Sequence, residues 1–374
     1  MKFDIERNLL FKSLSRAQSI VQSKTTIPIL QNILISADSE RGTIKIRTTD
    51  LDIEFMEELQ VTIIQAGELT VGASLLFDIA RKLPDGSLIN FEFKSANNRL
   101  EVLSGRTDFT LATLPKEDFP KAISTEYDTA FSIEPQVLRP LFEKSKFAMS
   151  TEETRYYLNG VYMHIAKGDQ GNVLRCVATD GHRLALVDSE APDNSLDMPH
   201  VIIPRKAVTE LGKLLSDINT EIKVSVSKSF VRFSADHLSL TARVVEGTFP
   251  DYNNVIPDSN KRRMEVNSKE FATAVDLVAT VCEDTSKAIT LNIGADKLGL
   301  SMRSPDSDTG EEELGVAYNA EDLSIGFNAR YLFDIASQVD QKNIVFYFNT
   351  PDEPALIREG DNPNMLYVVM PMRV

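Results

Sequence analysis

Residues 176–186, CVATDGHRLAL, bring Asp180, His182 and Arg183 together beside Gly181 after a run of small and apolar residues. An acid, an imidazole and a guanidinium so close in sequence suit a general-base pair, half of a metal site or an anion clamp. The enzymatic reading makes Asp180 and His182 the working pair of a hydrolase or transferase. It lacks companions. The four histidines, His164, His182, His200 and His237, show no HxH, HExxH or H-x3-H spacing, and no GxSxG, GxxxxGK[ST] or GxGxxG motif occurs. The acidic run PDSDTGEEE (305–313) lacks the spacing of a calcium loop. No catalytic residue, metal site or cofactor is expected.

The elements that position this cluster repeat along the chain. LTVGASLLFDIARKLPDG, VIIPRKAVTELGKLLSDI and IGFNARYLFDIASQVDQ each lead from a β-rich stretch into a helix. Leu76 and Ile79, Val208 and Leu211, and Leu332 and Ile335 hold matching apolar positions three residues apart. Val71, Ile203 and Phe327 set the period at 132 and then 124 residues. Alternating strands broken by turn residues follow each helix, as expected of antiparallel meanders. DIERNLLFKSLSRAQSIV, SIEPQVLRPLFEKSKFAM and EVNSKEFATAVDLVATVC supply a second amphipathic helix per repeat, again followed by strands. The linkers LPKEDFPKAISTEYDT and EGTFPDYNNVIPDSNKRR both carry Phe-Pro, which ends an element. The pattern predicts an α+β chain of three tandem similar domains, 1–125, 126–257 and 258–374, each made of two helix-plus-meander halves.

The repeat also dissects the cluster. TTDLDIEF in the first domain aligns Thr49-Asp50 with Thr179-Asp180, Asp52 with His182 and Ile53 with Arg183. Thr-Asp is therefore expected to be a structural turn, its side chains bonding nearby backbone. His182 and Arg183 belong to the second copy alone.

At 374 residues, 42% hydrophobic and 25% charged, the chain has a globular composition, too long for a single core. No apolar run nears the roughly 20 residues of a membrane span, and MKFDIERNLLFK does not read as a secretory signal. Cys176 and Cys282 have no CxxC spacing, which fits a reducing cytoplasm. The net charge of −15 argues against non-specific binding to a polyanion over the whole surface. Charge is uneven: from Ser259 onward, 11 Lys and Arg face 19 Asp and Glu. Basic residues favour particular helices and their ends: Lys12, Arg16 and Lys24, then Arg81, Arg139, Lys146, Arg205 and Lys206. Singly they read as solvated helix faces; repeated on equivalent helices of an acidic chain they read as a phosphate-facing lining. STEETRYYLNG adds Arg155 beside Tyr156 and Tyr157. The apolar end YVVMPMRV reads either as a core strand or as an adaptable, Met-rich pocket for peptides.

RYYLNG, VATDGHRLA, PRKAVTEL, GTFPDYNNVIP, IGFNARYL and YVVMPMRV, in this order over the whole length, resemble the bacterial DNA polymerase III beta-subunit family, the sliding clamps. The resemblance implies a non-enzymatic processivity factor. Two chains would join head to tail into a ring of six modules around duplex DNA of any sequence, in the cytoplasm at the nucleoid. It implies a pocket for short peptides, a Gln followed by apolar residues, from the replicative polymerase, the clamp loader and translesion or repair polymerases. Carried over, that pocket comprises Leu158, Thr179, Gly181, His182, Arg183, Leu184, Pro250, Val255, Asn328, Tyr331, Val368, Val369, Met370, Pro371, Met372 and Arg373. His182, Arg183 and Arg373 would orient the peptide. The subunit contact would set Phe109 and Leu111 against Thr280 and Val281 of the partner. Arg99 and Arg106 would face Asp306, Asp308, Glu311, Glu312 and Glu313. Asn253 and Asn254, and Ser74, stand where relatives often carry a base, and Asp108 stands where a base would help the dimer, which implies altered strength at the DNA lining and ring contact. Beside this stand the hydrolase or transferase reading and a scaffold of the same fold that binds peptides but not DNA.

Overall fold

The computed structural model describes residues 1–21, 25–94, 97–169, 171–282, 288–360 and 362–373; Lys24 lies outside them. Six α-helices occur among the described residues: α1 (Arg7–Ile20), α2 (Ala73–Lys82), α3 (Pro135–Glu143), α4 (Arg205–Leu215), α5 (Ser268–Val278) and α6 (Ala329–Ala336). They fall two to a repeat, as the periodicity predicts. Leu76, Ile79, Val208, Leu211, Leu332 and Ile335 are all buried, so the matching spacing marks core faces. Side-chain caps start several helices: Glu6 accepts the Asn8 and Leu9 amides before α1, and Asn267 those of Lys269 and Glu270 before α5. No described helix is long and apolar enough to cross a membrane.

Compactness does not follow the repeat. One unit comprises Met1–Leu138, Pro192–Pro199 and Lys206–Val244; the other comprises Arg139–Ala191, His200–Arg205 and Val245–Val374. The first unit holds a five-stranded and an eight-stranded sheet, the second a nine-stranded and a four-stranded sheet. Strand pairing across repeat boundaries is the cause. Strand Leu238–Arg243 of the second repeat runs antiparallel to Ile53–Gln60 of the first. Strand Met365–Val369 of the third likewise pairs with Arg183–Glu190 of the second. Main-chain ladders thus join neighbouring repeats into single sheets.

The Thr-Asp turn has one geometry in both copies. Thr49 Oγ1 donates to the Ile53 carbonyl (2.8 Å), and Asp50 Oδ1 accepts the amides of Asp52 (3.1 Å) and Ile53 (2.7 Å). Thr179 Oγ1 donates to the Arg183 carbonyl (2.7 Å), and Asp180 Oδ1 accepts those of His182 (2.9 Å) and Arg183 (3.0 Å). The third turn residue takes positive φ in each, Leu51 at 83° and Gly181 at 89°.

Candidate functional site

Asp180 and His182 do not form a catalytic pair. One Asp180 oxygen holds the turn amides and the other accepts from Arg183 Nε at 3.0 Å. The His182 ring stacks near Tyr331, centroids 6.3 Å apart. Its carbonyl accepts the Met370 amide (2.9 Å), which carries the strand pairing one residue past Val369. The Met372 amide bonds the Gly326 carbonyl (2.8 Å). The C-terminal segment is thereby pinned beside the turn.

Arg183 requires a correction. Its Nη1 donates to Asp334 Oδ2 (2.6 Å) and Nη2 to the Phe147 carbonyl (2.7 Å), while the guanidinium lies 4.4 Å from the Tyr331 ring centroid. With Asp180 on Nε, every edge of the fork is engaged, so Arg183 is framework and not a free group for orienting a peptide. Asn328 also has a structural task, accepting the Arg330 amide (2.9 Å) at the start of α6. Leu158, Thr179, Leu184, Val368 and Val369 are buried. Gly181, His182, Pro250 and Arg373 are exposed, Val255 by 45% and Met370 by 39%, with Pro371, Met372 and Tyr331 half-buried. Of the buried members, Leu158, Leu184 and Val368 join Val177, Leu186, Ile202, Phe249, Tyr252 and Leu366 in one apolar cluster. Sequence reasoning missed these six; the inward alternation of three neighbouring strands was the signal available for several of them.

Beneath the Phe249–Val255 segment lies a polar relay. The Tyr252 hydroxyl meets His164 Nε2 at 3.1 Å and accepts from Arg175 Nη1 at 3.2 Å, and Arg175 grips Asp188 with two bonds of 2.7 Å. Burial pushes the His164 imidazole down to about 4.

The basic residues are heavily partnered. Arg16 sits between Glu57 (2.6 Å) and Asp217 (2.7 Å), its side chain largely buried, so it braces the fold and does not face outward. Lys206 Nζ bonds Asp50 (2.5 Å) and the Ile20 carbonyl (2.7 Å). Exposed Lys12 lies 3.6 Å from Asp217, and Arg81 2.8 Å from Asp78. Lys146 pairs with Glu143, and Arg155 Nε with Glu152 (2.8 Å). Arg205 donates to the Met149 and Ser150 carbonyls at 3.3 Å. Arg139 is exposed; Tyr156 is exposed and packs edge-on against Tyr157.

Two sheets end in strands whose outer edges have no partner among the described residues. Thr107–Ala112 closes the five-stranded sheet, with Phe109 half-buried and Leu111 already buried in its own core. Thr309–Gly315 closes the four-stranded sheet, presenting Glu311 and Glu313 outward with Glu312 half-buried. Beside it Thr280, Val281, Ser304, Pro305, Asp306, Asp308 and Thr309 line a hollow of about 750 Å³. Arg99 and Arg106 are exposed, and neither has an acidic partner among the described residues.

Family models of the DNA polymerase III beta subunit match the chain throughout: the N-terminal domain at residues 1–123, the central domain at 132–251 and the C-terminal domain at 253–373. The chain belongs to this family. It is 40% identical to the beta sliding clamp of Caulobacter vibrioides (strain NA1000 / CB15N) over 374 residues, all of both chains. Among solved structures it resembles a sliding clamp of Bartonella birtlesii bound to griselimycin, with 46% identity, a TM-score of 0.96 and full coverage of both chains. It equally resembles a C. crescentus clamp with PEG bound to a putative beta-motif tethering region: 40% identity, TM-score 0.96, covering 100% of this chain and 99% of that one. As a beta-subunit family member the chain is a replication processivity clamp and not an enzyme.

Proposed function

We propose that the chain acts as a head-to-tail homodimer, a closed ring around duplex DNA, and tethers the replicative polymerase, the clamp loader and repair polymerases through short peptides. The observation that carries the tethering role is the apolar cluster, on which Ile256 packs, together with exposed Val255 next to Ile256 and exposed Met370, whose amide bonds the His182 carbonyl. An exposed Val and a flexible Met over a packed apolar floor suit the anchors of an extended peptide, and His182 offers a polar edge. Ring closure is supported by the open outer edges of the two end strands, one near exposed arginines and the other lined with glutamates, since such edges add strands readily. Two different surfaces meeting in a closing arrangement form a ring. We take 1–125, 126–257 and 258–374 as its three modules per chain and place its work in the cytoplasm at the nucleoid.

Loading the protein on closed circular and on linearised duplexes tests this reading. Retention on the circle with rapid loss from the linear form is expected; equal loss from both overturns the ring.

A further inference from the structure

The two strand pairings that join neighbouring repeats share one register, so the sheet floor of the proposed peptide site has a counterpart where the first and second repeats pair. Across four strands, Thr179, Leu184, Val368 and Leu356 are successive partners. The matching series is Thr49, Glu54, Thr241 and Arg232. Val177 opposite Leu186 likewise corresponds to Arg47 opposite Met56. Arg243, whose amide bonds the Asp52 carbonyl (2.8 Å), stands where Met370 bonds His182. Val177, Leu184 and Val368 belong to the apolar cluster, and Leu356 packs on it. Their counterparts, Arg47, Glu54, Thr241 and Arg232, are all polar.

That polar set already has an occupant. Arg47 donates to the Pro120 carbonyl, stacks 5.0 Å from the Phe119 ring centroid and lies 3.6 Å from Glu54. Glu54, 1% exposed, accepts the Ile123 amide at 3.3 Å. Arg232 donates to the Ile123 carbonyl (3.3 Å) and to Thr241 Oγ1 (2.9 Å), and lies 5.3 Å from the Tyr127 ring centroid. The linker from Phe119 to Tyr127 is thus held by backbone and ring alike. After the matching Phe249-Pro250 the chain goes elsewhere. Asp251 Oδ1 accepts the Asn253 amide and starts a short 3-10 turn, Tyr252–Val255, whose Tyr252 bonds His164 and leaves Val255 outward.

We propose that this sheet surface, shared by the first and second repeats, is a closed twin of the peptide site, filled by the chain's own linker. Arg47, Glu54, Arg232 and Thr241 are then the specificity-determining residues that limit each chain to one peptide. An apolar anchor entering there would displace Ile123 and strip partners from a buried carboxylate and guanidinium, which strongly opposes binding. The inference rests on the peptide-binding reading above.

Peptide stoichiometry measured by calorimetry on the full chain is the test, with a synthetic peptide of Gln followed by apolar residues. One peptide per chain is expected for the natural sequence. Two are expected for the fourfold variant Arg47→Val, Glu54→Leu, Arg232→Leu, Thr241→Val, and for the milder Arg47→Val with Glu54→Leu if the former does not fold. In the natural protein, saturating peptide should leave hydrogen exchange at the Ile123 amide unchanged. Two peptides per natural chain, faster exchange at Ile123 with peptide, or one peptide on a folded variant each overturn the closed twin alone. No binding to the natural chain overturns the tethering reading, and this inference with it.

Discussion

At the residue scale, Leu51 and Gly181 occupy the same strained place in the same turn, at φ of 83° and 89°. A non-glycine residue there costs about 1–3 kcal/mol, part of which glycine returns through its freer unfolded chain. Leu51→Gly is therefore expected to raise thermal stability slightly, by about 1 kcal/mol or less. Gly181→Ala should lower it by about 1 kcal/mol, because alanine is strained at this positive φ; Arg155 Nη1, 2.6 Å from the new Cβ, ends a flexible side chain and can swing aside. Paired melting curves decide; a stable Gly181→Ala protein contradicts the geometry. His164 carries a pH dependence. Its folded value of about 4 lies below the ordinary 6.5, so between those values the unfolded chain binds more protons. Stability then falls as pH drops through that window and levels off below it, by about 3 kcal/mol in all. His164→Phe should flatten this part of the stability-versus-pH curve, and an unchanged slope would assign it to other groups.

At the element scale, α1 and α4 are tied by charge. Arg16 of α1 reaches Asp217 just beyond α4 and Glu57 of strand Ile53–Gln60, while Lys206 of α4 bonds the carbonyl of Ile20 at the end of α1. Glu57 is 2% exposed, so Arg16→Met leaves a buried carboxylate with only the His237 ring, 3.5 Å away, and is expected to cost about 3 kcal/mol. Adding Glu57→Met should recover most of it in a double-mutant cycle; purely additive losses would mean the pair is not coupled. These ties mark where sequence reading stops. Helix positions and the Thr-Asp turn were legible, because spacing and a repeated dipeptide are local. The tasks of Arg16 and Arg183 were not, since their acids Asp217 and Asp334 lie 201 and 151 residues away. Both Phe-Pro linkers were visible, but not that one docks on Glu54 and the other turns at Asp251. The C-terminal segment gives a further test. Removing residues 370–374 keeps the ladder from Met365 to Val369 but loses the bonds from Met370 and Met372. Peptide binding should vanish with the dimer intact; unchanged affinity in that variant overturns the proposed pocket.

At the scale of the whole molecule, a net charge of −15 has to coexist with a DNA-facing surface. Several of the cations expected to face DNA are matched by an acid: Lys12 by Asp217, Arg81 by Asp78, Lys146 by Glu143, Arg155 by Glu152. Such pairing weakens phosphate attraction and suits a ring that stays on DNA through topology and must slide. In the proposed ring, the same acid excess makes assembly depend on charge placement. Arg99 and Arg106 are exposed near one edge strand, and Asp306, Asp308, Glu311 and Glu313 are exposed along the other. Exposed pairs across such a contact steer encounter more than they add affinity, and salt screens them over about 8–10 Å. Arg99→Glu with Arg106→Glu is therefore expected to slow dimer association about tenfold at low salt. The gap to the natural protein should close as salt is raised, while the dissociation rate changes little. Subunit-mixing kinetics over a salt series read both rates. A salt-independent defect, or one confined to dissociation, would place these arginines in the packed core of the contact instead of its charged rim.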